Sequence, residues 1–350
     1  MGAPAIVIPR GMEHHRDSLA WLARRDGSVL IGHGPFEESA TVPGSGVAFY
    51  VQDFALQDRL PWKIPRRIER SSPSELAARL AGAPRLDCRW QPVDAAPFSV
   101  VFQEVMSSIH GGVFEKTVPV VTESGSAGEA PGASIIAAML RQRMPLQSYG
   151  WVQGESGFAG ATPELLFSLN GRSLETMALA GTARSEDRDV FAVDEKEIRE
   201  HEYVAQTLVS KLLNLGRLER HTREILDLGP IVHFLTMIHA ELSAPMVPED
   251  LIQRLHPTPA LGSLPRTEGT MELLLEWRNR LGCPARFGAP FGVWDGGRFD
   301  AVVAIRAVWW EGAHLRIPAG CGIIEASRLV NEWRELRLKR EAVKRFLDLP

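Results

Sequence analysis

Apolar positions along the chain fall into two patterns. Short runs are broken by Gly and Pro, and longer stretches repeat every three to four residues, which predicts strands mixed with helices. Residues 1–100 read as strand-rich, with Gly46–Asp53 and Phe98–Phe102 as short apolar runs between breakers. Ser71–Ala81 places Ser and Pro ahead of an apolar-periodic run, the signature of a short capped helix. Ser99–His110 alternates poorly and also admits a helix, followed by a turn and strand over Gly111–Val121. Thr122–Ala133 is rich in Gly, Ser and Ala and reads as a flexible loop. Ser134–Gln142 reads as a helix. Gln147–Thr182 reads as strands joined by Gly turns, among them Tyr149–Gln153, Glu164–Leu169 and Ser173–Leu179. Helices are predicted over Asp194–Leu215, Glu249–His256 and Glu268–Leu281. Ala301–Glu311 and His314–Ala319 read as a strand pair, and Leu329–Leu347 as an amphipathic closing helix. No fixed-period repeat is present. The irregular order points to α+β or antiparallel α/β, not to regular βαβ winding.

Composition narrows the class. The 350 residues are 45% hydrophobic and 23% charged, an ordinary globular balance that argues against a disordered, collagen-like or coiled-coil chain. This length accommodates two domains or one large layered domain. A net charge of −4 gives no reason to expect nucleic acid as a partner. Cys88, Cys283 and Cys321 are too scattered for a disulfide framework or a zinc site, which suits a reducing, cytoplasmic setting. The start of the sequence lacks the apolar core of a signal peptide, Gly2 lacks the context for myristoylation, and no apolar run is long enough for a membrane span.

Several residues are candidates for chemistry. Glu197 and Glu200 lie three apart in a predicted helix, and Glu332 and Glu335 do the same near the C-terminus. Each pair presents two carboxylates on one helix face, and two such faces meeting would suit a hard divalent cation; solvated helix faces are the commoner case. Lys116 sits in an apolar strand setting. Burial favours the neutral amine, which can act as a base, although edge-strand lysines are more frequent. Glu164 follows a Pro turn and becomes a candidate general acid if buried. The turns holding Gly181, Thr182, Gly320 and Gly322 offer backbone amides to an anion. The Gly-x-Gly at Gly320 lacks the third glycine of a dinucleotide fingerprint. Arg306 reads as mid-strand, where a buried cation calls for a carboxylate. His233 and His239 lie in an apolar stretch and read as core histidines before metal ligands.

Seven strings occur in order: GATPELL, LAGTAR, KEIREH, HPTPALG, AIRAV, AGCGII and EWRELRLK. Together they resemble the chorismate-utilising enzymes related to anthranilate synthase component I, from about Ser99 to the C-terminus. The amine-forming members carry Gln where this chain has Lys116, and a GTxxGAPK-type string where it has HPTPALGSLPR, so the isochorismate synthases are the nearer branch. Ammonia needs no base to be nucleophilic, whereas water does. The resemblance implies one large domain of two stacked antiparallel sheets flanked by helices. Residues 1–95 would be a weakly matching, strand-rich part of that fold and residues 96–350 the chorismate-binding core. It implies reversible, Mg²⁺-dependent conversion of chorismate to isochorismate, supplying menaquinone, siderophore or salicylate synthesis. Lys116 would activate water for attack at C2, and Glu164 would protonate the departing C4 hydroxyl. Glu200 and Glu335 would ligate Mg²⁺, with Glu197 and Glu332 beside them. Gly181, Thr182, His233, Gly320 and Gly322 would line the substrate, and Arg306 and Lys339 would neutralise its carboxylates. The expected protein is a monomer with no membrane contact and no glutamine amidotransferase subunit.

Three departures from the family pattern stand out. Thr117-Val118-Pro119-Val120 replaces a usual Val-Val-Leu-Ala, Phe287 stands where Tyr is usual, and Ser263 replaces a common Gly. No LLES-type string of a tryptophan-feedback site occurs. A salicylate-forming lyase of the same family and a catalytically weak chorismate-binding protein remain open as alternatives.

Overall fold

A computed structural model describes residues 18–80, 82, 85–128 and 131–349. Its strands are β1 (Ser18–Ala23), β2 (Val29–Ser39), β3 (Val47–Val51), β4 (Trp62–Ser71), β5 (Cys88–Trp90), β6 (Val120–Ala127), β7 (Gln147–Gln153), β8 (Ser156–Thr162), β9 (Leu165–Asn170), β10 (Ser173–Arg184), β11 (Gly216–Arg220), β12 (Glu224–Asp227), β13 (Ile231–Leu242), β14 (Pro290–Asp295), β15 (Arg298–Val303), β16 (Ala307–Glu311) and β17 (His314–Gly320). The helices are α1 (Pro73–Arg79), α2 (Ala96–His110), α3 (Gly132–Leu140), α4 (Arg188–Phe191), α5 (Glu195–Leu212), α6 (Pro248–Leu255), α7 (Glu268–Arg280) and α8 (Leu329–Phe346).

The strands form one antiparallel ribbon. β11 and β12 pair with β13, and the order then runs β10, β9, β15, β14, β3, β4, β2, β1, β7, β8, β16, β17, β6, β5. The ribbon folds back on itself. Phe291 of β14 meets Tyr149 of β7 and Phe158 of β8, although β14 pairs with neither strand. The two halves are therefore stacked layers, with an aromatic and aliphatic core between them. Helices cover the outer faces: α5 on β10 and β13, α3 on β7 and β8, α8 on β17.

Local chemistry explains the elements. The Ser72 side chain and Glu75 form a reciprocal capping box at α1. Asp194 caps α5 by accepting from Glu197 N at 3.1 Å, and Val204, Ala205, Leu208 and Leu212 make its apolar stripe. On α5 and α8 the buried faces also carry Glu200, Glu332 and Glu335. Buried carboxylates destabilise a fold unless they are paired, so these faces mark a place built for charge.

Four sequence expectations need correction. Phe98–Phe102 lies inside α2, because its apolar residues form the helix face that packs with Phe114, Trp277 and Leu336. Within Thr122–Ala133, residues 122–127 belong to β6 and 132–133 open α3, while 129–130 lie outside the described residues; Gly125 is needed in β6 because the Trp90 ring lies where a side chain would project. Ala301–Glu311 is broken between β15 and β16, with Arg306 at φ 55° in the break. His239 is no core residue; its side chain is 40% exposed beside Glu175.

Candidate functional site

The cleft opens where the chain passes twice between the two layers. β8 leads to β9 through Pro163 and Glu164, and β15 leads to β16 through Ala304, Ile305 and Arg306. The crossings are laced together: Val303 N donates to Glu164 O (3.0 Å), Ala161 N donates to Arg306 O (3.1 Å), and Tyr149 OH donates to Ile305 O (2.8 Å). Glu164 and Arg306 are thereby presented together on the cleft wall with Gly181, Thr182, Glu200, His233, Phe287, Gly320, Gly322 and Lys339.

On the β10 side a bulge between Ala180 and Thr182 puts Gly181 at φ 76°, a conformation suited to glycine. The bulge frees Thr182 N to donate to Glu197 Oε2 at 2.8 Å. Arg306 Nη2 donates to His233 Nε2 at 2.9 Å, so His233 is neutral, with its proton on Nδ1 shared with Gly181 O at 2.8 Å. Burial and the adjacent Arg306 push this histidine well below its ordinary range. His233 thus lines the cleft as a polar group. Burial lowers the Arg306 guanidinium to about 10, which leaves it cationic at neutral pH.

Glu164 is 4% exposed. Burial raises its carboxyl to about 7, against the pull of Lys116, Lys339 and Arg306. It therefore holds a proton near neutrality, which a general acid requires.

Carboxylates of α5 and α8 are gathered on two lysines. Lys196 Nζ lies 2.9 Å from Glu197 Oε1, 3.0 Å from Glu200 Oε2 and 3.3 Å from Glu332 Oε1. Lys339 Nζ lies 2.5 Å from Glu335 Oε1 and donates to Gly320 O at 2.8 Å. Burial raises Glu332 to about 8 and Glu197 to about 7. Burial also opposes ionisation of Glu200, but Lys196, Lys116 and Lys339 outweigh it and hold that group at about 2. Among the described residues no three His, Cys, Asp or Glu side chains already converge as a metal-ligand set. The donors nonetheless suit a hard divalent cation: all are carboxylate oxygens, and Glu332 Oε2 is buried without a hydrogen-bond partner.

Lys116 is 0% exposed and stands behind the wall, with Nζ 3.2 Å from Glu200 Oε1. It lies in no long strand. One bridge ties it to Leu264, with Leu264 N donating to Lys116 O at 2.8 Å, and Thr117 bridges Ile323. The HPTPALGSL segment therefore has a job that its sequence did not reveal: it holds the backbone of Lys116. Ser263 belongs to this support, its hydroxyl 3.3 Å from Thr117 Oγ1 and from Thr270 O. Gly322 must lack a side chain, because Glu200 Oε1 and Lys116 Cε cross over it. Reasoning from sequence passed over Lys196 and Tyr149. Lys196 carried a signal, since it precedes Glu200 by one helical turn; Tyr149 carried none.

Residues 66–348 match the family described as chorismate binding enzyme. The chain belongs to the chorismate-binding enzymes. Over 215 residues it is 29% identical to the isochorismate synthase MenF of Haemophilus influenzae, covering 58% of this chain and 49% of that one. Over 261 residues it is 30% identical to the salicylate biosynthesis isochorismate synthase of Pseudomonas aeruginosa, covering 70% and 53%. The chain spans about half the length of these relatives. The structure of MenF, the menaquinone-specific isochorismate synthase of Escherichia coli, superposes with a TM-score of 0.78 at 18% identity, covering 96% of this chain and 90% of that one. That likeness establishes a shared chorismate-binding enzyme fold. Among the described residues no helix is long and apolar enough to cross a membrane.

Proposed function

We propose that this chorismate-binding enzyme interconverts chorismate and isochorismate, adding water at C2 and expelling the C4 hydroxyl. The observation that carries the reading is the pairing of a buried Glu164, its carboxyl raised to about 7, with a buried Lys116 that crosses Gly322 beside Glu200. Glu164 gives its proton to the departing hydroxyl, so that water leaves and not hydroxide. Lys116 takes a proton from the attacking water. Arg306 and Lys339 neutralise the two substrate carboxylates, and Gly181, Thr182, Gly320 and Gly322 let the ring approach backbone. Glu200 and Glu335, assisted by Glu197 and Glu332, would hold a Mg²⁺ ion, whose charge would polarise and orient the ring carboxylate. Phe287 gives the cleft an apolar wall, stacked edge-on against Trp309.

The test is to incubate the protein with chorismate, with and without Mg²⁺ and with and without ammonium, and to separate the products by chromatography. Isochorismate approaching a fixed ratio with chorismate, only when Mg²⁺ is present and not with Lys116→Ala, is the expected result. Salicylate with pyruvate would make the chain a lyase, and an aminated product would overturn the role of Lys116. Chorismate binding without turnover would leave a binding protein.

A further inference from the structure

Lys196 is the cation at the centre of the carboxylate cluster. Its ammonium touches one oxygen from each of Glu197, Glu200 and Glu332, while Glu335 is taken by Lys339. One of those oxygens belongs to Glu200, which with Glu335 would ligate a divalent ion between α5 and α8, and the other two belong to Glu197 and Glu332 beside it. An ammonium supplies one positive charge and needs partners near 3 Å; Mg²⁺ would take its ligand oxygens, that of Glu200 among them, at about 2.0–2.1 Å. The two cannot share that oxygen. The lysine has somewhere to go, because its side chain is 18% exposed, whereas that of Glu332 is 1% exposed.

We propose that Lys196 is the resident counterion of the metal-free cluster, and that it competes directly with the divalent cation and so sets the metal affinity of the site. This rests on the reading that a divalent cation works between these helices. When the ion binds, the ammonium leaves its three carboxylates and turns toward solvent. When the ion leaves, the lysine returns and keeps the two helices from repelling one another. The residue positions the carboxylates and does not touch substrate.

The experiment measures Mn²⁺ binding by calorimetry, and melting in EDTA, for the wild type, Lys196→Gln and Lys196→Arg. Lys196→Gln should bind Mn²⁺ at least tenfold more tightly than wild type and melt lower in EDTA, with the loss recovered on adding Mn²⁺. Lys196→Arg keeps the charge and should bind no more tightly than wild type. Amine acylation of the wild type, read by peptide mass spectrometry, should label Lys196 faster with saturating Mn²⁺ than in EDTA; this readout stands even if Lys196→Gln fails to fold. Wild-type binding with unchanged or weaker binding by Lys196→Gln, or labelling that ignores the metal, overturns the proposal and leaves the metal reading intact. Absence of Mn²⁺ binding in every form overturns both.

Discussion

A carboxyl group keeps its proton near neutrality only where desolvation penalises the anion more than nearby cations favour it. Glu164 meets that condition although three cations face it, because burial is the larger effect. The expected consequence is a rate that falls as pH rises through about 7, with Glu164→Gln losing at least 100-fold in kcat and that limb of the profile. The sign for stability follows from the same shift. Folded Glu164 titrates near 7 and an unfolded glutamate near 4.5, so the folded chain binds the extra proton between those values. Its contribution is fully present below 4.5 and is lost as pH rises to 7, on the order of 1 kcal/mol per pH unit. Denaturant titrations at several pH values should show that slope flattened in Glu164→Gln.

Among the elements, α5, α8 and the short Gly320–Gly322 turn carry the site, and their tolerances are narrow. Gly322→Ala would push a methyl onto Glu200 Oε1 and within 2.6 Å of Lys116 Cε. Overpacking of this kind costs about 1–3 kcal/mol. It should also displace both groups, so activity should fall at least 100-fold with a modest drop in Tm; near wild-type kinetics would show that the crossing over Gly322 is slack. The capped helix α1 and the amphipathic helices α5 and α8 were legible in the sequence because caps and stripes are local signals. The carboxylate pairs were legible too, as i,i+3 faces. β6 was not, since its small residues look like a loop until Trp90 is seen over Gly125. The break at Arg306 was hidden as well: the apolar run continues through it, and only the partners Tyr149, His233 and Ala161 reveal why the chain turns. What could not be read is what depends on contacts between distant segments, including the bridge from Leu264 to Lys116.

For the whole molecule, the stacked layers act as one body. Phe291 touches Phe49 within its own layer and Tyr149 and Phe158 across the core, and Phe158 stacks on Trp309, which meets Phe287 at the cleft. Phe291→Ala should cost about 3–5 kcal/mol and raise KM for chorismate, with a single cooperative melting transition. Two separate transitions would mean that the layers fold independently. The ribbon order has a further consequence for how the protein is made. β3 pairs with β14, which leaves the ribosome about 240 residues later. At synthesis rates of about 5–20 residues per second that delay is roughly ten to fifty seconds. During it, β3 offers Phe49 and Tyr50 on an unsatisfied edge, a target for other nascent chains. The same long-range pairing that joins the layers around the cleft thus leaves the newborn chain's β3 edge open until β14 arrives.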